Sequence, residues 1–375
     1  MPRADARVPA AAAPQERGWV GFLLALGAVV AVSAGATWPA PLALAAGAVR
    51  LLLPVEQVAL VVVVAVTAAA LVGWQAGGRW WMAAAWVAAA GYLLRLLAPS
   101  AGGYGSFAVG WSLVLGASFG VVGLITPGRP FLGRALAAVA LAASVTVVGV
   151  RVRQPETGSA FRGAGQLLAG EYRRRVEGTL AQWEQRSGSP AWQAFAARFP
   201  EAASRASGAS TVLQQAVSGG ADGIPPLVEL APALLALESL LALAVAWSAY
   251  HRVARVRLGP PLGALRTLRF SDQLMWGAVA GGTLLLLPTL VEWRLVGLNL
   301  VGVFGTLYAL RGAAVLSWYL PDGLALPALL ALLVLVWVVG PGWGLAAVVA
   351  GTVGLGLGDT WRDLRAGAGR RSLTS

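Results

Sequence analysis

Cysteine is absent from the 375 residues, so disulfides, thiolate nucleophiles and cysteine-bound metals are excluded. The single histidine, His251, rules out a multi-histidine metal centre within one chain. Lysine is absent as well, and the net charge of +12 rests on arginine alone. Charge of either sign is scarce: Asp, Glu, Lys and Arg make up 12% of the chain, against about 25% in a soluble domain. What remains is apolar, at 58% hydrophobic residues and a mean hydropathy of +0.71. Such a chain is solvated mostly by lipid. Its basic excess then belongs to loops retained in the cytoplasm. Nucleic acid is not expected as a partner, because no basic stripe is interleaved with exposed aromatics. No cofactor or metal is expected.

Apolar runs of roughly 20 residues, each the length of a bilayer crossing, recur along the chain. They predict an all-α, polytopic transmembrane helix bundle of about ten crossings with a small extracytoplasmic helical insertion. Residues 1–18 read as a disordered cytoplasmic tail, and 19–150 as an N-terminal membrane half of five crossings plus a short interfacial helix. Composition changes at Arg151. From there to 226 the chain is soluble in character, with Phe161, Leu168, Tyr172, Val176, Leu180 and Trp183 falling mostly four apart, one face of a helix. Two or three amphipathic helices are expected, with a break at Gly188-Ser189-Pro190. A C-terminal membrane half of five crossings occupies 227–358, and a cytoplasmic tail 359–375.

Arginine sets the threading. Arg252, Arg255, Arg257, Arg266 and Arg269 crowd one short loop, which should therefore be cytoplasmic. Counting crossings outward puts Arg129, Arg134 and both termini on the same side. The expected location is a bacterial cytoplasmic (inner) membrane.

Glu238 and Arg311 stand inside predicted crossings. A carboxylate at the bilayer centre costs about 2.5–3.5 kcal/mol, so it needs a partner, a proton or a water-filled cavity. One reading pairs Glu238 with Arg311 along a polar cavity that Asn299 and Tyr308 also line. The other leaves Glu238 protonated and Arg311 snorkelling to the inner surface. Gly116 and Gly120 have the small-xxx-small spacing that lets helices approach closely. Ser271 or Asp272 suits the N-cap of the seventh crossing. His251, at a helix end, is expected to meet terminal carbonyls. With one His, no Cys and no paired core acids, enzymatic acid–base or metal chemistry has few candidates, and an enzyme is not expected.

From Asn299-Leu300 through Tyr308-Ala309-Leu310-Arg311-Gly312-Ala313-Ala314 to Trp318-Tyr319-Leu320, the chain resembles the YybS-like family of bacterial membrane proteins (DUF2232). That family often carries Gln at the position of Arg311. The resemblance implies a distant likeness to the substrate-binding membrane subunits of energy-coupling-factor transporters. Small-solute transport, or a transporter's substrate-binding subunit, is one expected function. The chain has no nucleotide-binding loop. That reading therefore calls for a separate energising ATPase or a transmembrane partner subunit besides membrane lipid and an unidentified small molecule. The alternative is a non-transporting envelope scaffold that docks partners on 151–226.

Overall fold

A computed structural model describes residues 103–126, 128–153, 160–218, 226–253, 257–263, 265–320 and 341–362, with 64, 65, 67, 68, 70, 71, 88, 324, 364 and 365 besides. The first predicted crossing lies outside these residues, as do most of the second, nearly all of the third and ninth, Arg255, and residues 366–375. Among the described residues every element is helical.

The helices of the bundle are α1 (Gly103–Ile125), α2 (Phe131–Arg153), α6 (Ala231–Val253), α7 (Met275–Leu286), α8 (Arg294–Tyr319) and α9 (Pro341–Arg362). Between α2 and α6, among the described residues, stand α3 (Ala160–Ser187), α4 (Pro190–Arg198), α5 (Pro200–Ser218) and a single turn, Pro226–Glu229. Among the described residues four stretches are long and apolar enough to cross a membrane: Phe107–Ile125, Phe131–Gly149, Ala231–Arg252 and Pro288–Tyr319.

Cross-helix contacts give the directions. Trp111 donates its indole N–H to Ser239 Oγ at 2.9 Å, and eight residues further along each helix Phe119 meets Trp247 edge-on at 5.9 Å. Helices α1 and α6 therefore run the same way. Asn299 meets Ala233, and Leu307 shares a core with Leu240, Leu243 and Trp247, so α8 runs with α6. Gly312 lies on Gly356 and Tyr319 reaches Leu364, so α9 runs with α8. Phe131 and Arg134, at the start of α2, pack on Trp247 near the end of α6, so α2 runs the opposite way. Helix α7 is also reversed: its Gly277 and Gly281 meet Phe304 and Gly297 in that order. Helices α1, α6, α8 and α9 thus share one direction and α2 and α7 the other.

The seventh crossing differs from a simple span. Its α-helix stops at Leu286, and Pro288–Trp293 continues as 3-10 turns. Proline lacks the N–H a continuing helix needs and holds the residue before it extended, as Leu287 is at φ −83°, ψ 116°. Twelve α-helical residues reach about 18 Å, short of a hydrocarbon core of about 30 Å.

Close glycine contacts bring helices together. A Cβ on Gly116 would lie 2.6 Å from Thr67 Cγ2, and one on Gly120 2.9 Å from Leu71 Cβ, so the small-residue stripe does seat a neighbour. Packing is tighter between α8 and α9. There a Cβ on Gly312 would collide with the Thr352 carbonyl, and one on Gly356 with the Tyr308 carbonyl.

The insertion docks at the end of the bundle where α1 begins. The Arg175 guanidinium of α3 lies 5.5 Å from the Tyr104 ring centre, and the buried Glu171 is ion-paired with Arg174 and Arg175. Ser189 accepts the Trp192 N–H and caps α4, at the break the sequence marks. Trp183 and Trp192 meet edge-on at 4.7 Å and fasten α3 to α4.

Candidate functional site: buried charge at the arginine-rich end

The last turns of α1, α6, α8 and α9 and the first turns of α2 and α7 converge on the end of the bundle that carries the arginine loop. Two groups of buried charge form there.

Arg311, one turn above Val315 on α8, is buried together with Tyr308, Gly312 and Ala314. Its Nε donates to Asp359 Oδ2 at 2.9 Å, its Nη1 to Asp272 Oδ1 at 3.0 Å, and its Nη2 to the Asp359 carbonyl at 3.4 Å. Arg365 donates to the same Asp359 Oδ2 at 2.7 Å and to the carbonyls of Arg266 and Leu268 at 3.0 and 3.1 Å. One carboxylate thus serves two guanidinium groups and ties α8, α9 and the loop before α7 together. Phe270 lies beneath Arg311 at 5.3 Å and meets the Tyr308 ring edge-on at 5.3 Å. Asp359 stands past the apolar run of its helix. Burial pushes its carboxyl pKa up, but hydrogen bonds and charge from Arg365 and Arg311 together outweigh burial and hold it below the usual range. Asp359 Oδ1 and Arg365 Nε remain buried without hydrogen-bond partners.

The proposed Glu238–Arg311 pair does not form. The parallel α6 and α8 are aligned by Asn299 on Ala233. Glu238 then lies five residues along from that level and Arg311 twelve, a difference of about 10 Å along the axis. Arg311 instead takes Asp272 and Asp359. Glu238 is nevertheless turned inward and is only 7% exposed. Asn299 is occupied by the start of α6: its Oδ1 accepts the Ala233 N–H at 2.8 Å, and its Nδ2 donates to the Glu229 and Leu295 carbonyls at 2.8 Å each. It satisfies a helix-terminal amide that would otherwise be orphaned. Tyr308 is fully buried between Phe270 and α9.

Acidic partners for Arg311 were overlooked in the sequence. Ser271 or Asp272 reads there as a cap; Ser271 does the capping, accepting the Gln273 N–H at 3.4 Å, and Asp272 pairs with Arg311. Asp359 reads as the first residue of a tail, yet α9 continues to Arg362. The Asp359–Arg365 spacing beyond the apolar run was the available signal.

The second group lies under the strap 257–263. His251 places both ring nitrogens 3.0 Å from carbonyl oxygens, of Trp247 and of Gly259. Trp247 donates its indole N–H to the Pro260 carbonyl at 3.1 Å, and the Leu258 N–H donates to the Tyr250 hydroxyl at 3.1 Å. Gly259 turns the strap at φ 88°, a conformation side chains resist. Arg134 completes the group. Its Nη1 donates to the Leu258 carbonyl at 2.9 Å, and its guanidinium stacks 4.4 Å from the Trp247 ring centre. Of the loop arginines, Arg257 and Arg269 are exposed, and Arg252 and Arg266 half-buried.

Residues 201–355, less than half of the chain, match the model of a family described as "Predicted membrane protein (DUF2232)". The matched stretch takes in α5 through α8, most of α9 and the arginine loop. The resemblance carried by residues 299–320 thus extends over the C-terminal membrane helices. No curated protein and no solved structure matches the chain.

Proposed function

We propose that this membrane protein carries a small solute across the cytoplasmic membrane, or captures one as the substrate-binding subunit of a transporter. The supporting observation is Glu238. It sits well inside α6 and is turned into the packed interior, where a carboxylate needs a partner, a proton or water and marks a candidate functional site. The strap and the Arg311 network stand at the cytoplasmic end in this reading, both termini lie on that side, and α3–α5 stand outside. Energy then comes from a separate ATPase or a transmembrane partner subunit.

The test is a solute library screened by thermal shift on detergent-purified wild type and E238Q. A solute that raises the Tm of wild type and not of E238Q supports the proposal. Should no solute separate the two while both remain folded, it fails. Orientation is checked on the naturally cysteine-free background. L262C and F199C occupy exposed positions at opposite ends. Only F199C should react with an impermeant maleimide added outside cells.

The scaffold reading keeps one observation in its favour. Phe199 stands exposed at 49% beside Arg198 on the insertion, where a partner could cover it. Deleting 160–218 should then abolish function while leaving the membrane helices folded.

A further inference from the structure

His251, the one histidine of the chain, is buried in the last turn of α6. Its Nδ1 stands 3.0 Å from the Trp247 carbonyl oxygen and its Nε2 3.0 Å from that of Gly259. A carbonyl oxygen only accepts. A neutral imidazole has a single N–H, so it satisfies one of the two and turns a lone pair toward the other. The imidazolium has two N–H groups and satisfies both. The Trp247 and Tyr250 rings meet the imidazole edge-on, with centres 4.5 and 5.3 Å away. So enclosed, the ring has little bulk water to replace a bond that is lost.

The other ties of the strap run to the Trp247 indole, the Tyr250 hydroxyl and the Arg134 guanidinium. Side chains of those types do not change charge between about pH 5 and 8, where histidine does. The Gly259 bond is therefore the one that acidity can alter. The end of a helix favours a cation. Arg134 on the same Trp247 ring, Arg252 next in sequence, Arg257 on the strap, and Arg266 and Arg269 before α7 oppose one. The acids Asp272 and Asp359 at this end are ion-paired with Arg311, and Asp359 with Arg365 as well. The pull of two carbonyls and a helix end is thus set against a ring of guanidinium groups.

We propose that His251 is a proton-operated latch on the 257–263 strap. A proton taken from solvent gives the ring its second N–H and fastens the Gly259 carbonyl to α6 while the Trp247 bond is kept. Loss of that proton loosens the strap. Whichever tautomer the neutral ring adopts, the closed strap sets a lone pair against a carbonyl oxygen, and lifting the strap removes one of the two acceptors. Gly259 holds the turn that aims this carbonyl, at φ 88°. In the orientation proposed above, the acidity sensed is that of the cytoplasm. The latch itself depends neither on that orientation nor on Glu238.

The test uses the full chain in detergent, purified on a histidine-free affinity tag, so that nitrogen NMR of labelled histidine reads His251 alone. Ring nitrogen shifts count the ring protons as pH is lowered from about 8 to about 5. Amide hydrogen exchange of the strap, corrected for its intrinsic pH dependence, follows closure. The ring should gain its second proton in this range. Strap exchange should slow about ten-fold or more with the same midpoint, relative to 160–218. H251Q keeps a donor but has no titrating group, and its strap should lose the pH response. An unchanged count of ring protons across the range, strap exchange that does not follow the ring, or a pH response retained in H251Q overturns the latch. Should H251Q fail to fold, the two wild-type measurements decide by themselves.

Discussion

Replacing Asp359 by alanine should be among the most damaging single changes at the arginine-rich end. The Asp359 side chain is 1% exposed, and it is the only carboxylate within ion-pair reach of Arg365 among the described residues. In its absence Arg365 keeps two carbonyls, and Arg311 keeps the backbone carbonyl of residue 359 and, as its one carboxylate among the described residues, Asp272, whose own side chain is 64% exposed. Removing one partner of a buried pair costs about 3–5 kcal/mol, because an uncompensated charge is left behind. Here two cations are left, which places D359A toward the upper end of that range. D272A removes the solvent-screened contact and should cost about 0–1 kcal/mol. R311Q stands between, at about 1–3 kcal/mol, because Asp359 retains the 2.7 Å bond from Arg365 and glutamine can still hydrogen-bond. Reversible unfolding in mixed micelles, titrated with SDS, reads the three differences. A D359A protein within about 1 kcal/mol of wild type, or a D272A cost equal to that of D359A, would refute the assignment of Asp359 as the hub.

Acid should act through the same carboxylate. Its folded pKa lies below the unfolded value, so its contribution is complete above the unfolded value, near pH 4, and is lost as pH falls through the folded one. Stability against pH should therefore drop more steeply on the acid side in wild type than in D359N. G312A should cost about 1–3 kcal/mol by overpacking, since its methyl meets backbone. G305A, with open space around its Cβ position, should be neutral or stabilising by up to about 1 kcal/mol. Chemical denaturation of the two variants side by side checks both. N299A should cost about 0.5–2 kcal/mol by uncapping α6, and hydrogen exchange should rise first at residues 231–234.

Lipid solvation and helix directions were legible in the sequence because they follow from runs of apolar residues and from where arginine is permitted. Gly116 and Gly120 were legible because small residues four apart have one common use in a membrane helix. Arg311 was legible as a costly charge, but its partners were not. A mid-helix acid attracts attention, whereas acids at helix ends have ordinary explanations as caps or tails. Depth decided the matter: two parallel helices in fixed register kept Glu238 about two turns from Arg311. Arg134 was read only as a marker of sidedness, since the same residue type serves as topogenic charge and as buried fork, and burial alone separates them. Gly356 falls at the end of the 227–358 membrane half. Its packing against Gly312 depends on a helix distant in sequence.

The contact of Gly312 with Gly356 has a mechanical consequence. Two helices whose backbones touch cannot slide or roll past each other without a carbonyl blocking the way, and Arg311 with Asp359 bolts the pair about one turn further on. Helices α8 and α9 should therefore travel as one lever in any cycle of opening and closing. The compliant joint is then the broken α7 at Pro288, next to the start of α8, where a 3-10 segment can rewind without tearing a continuous ladder of helical bonds.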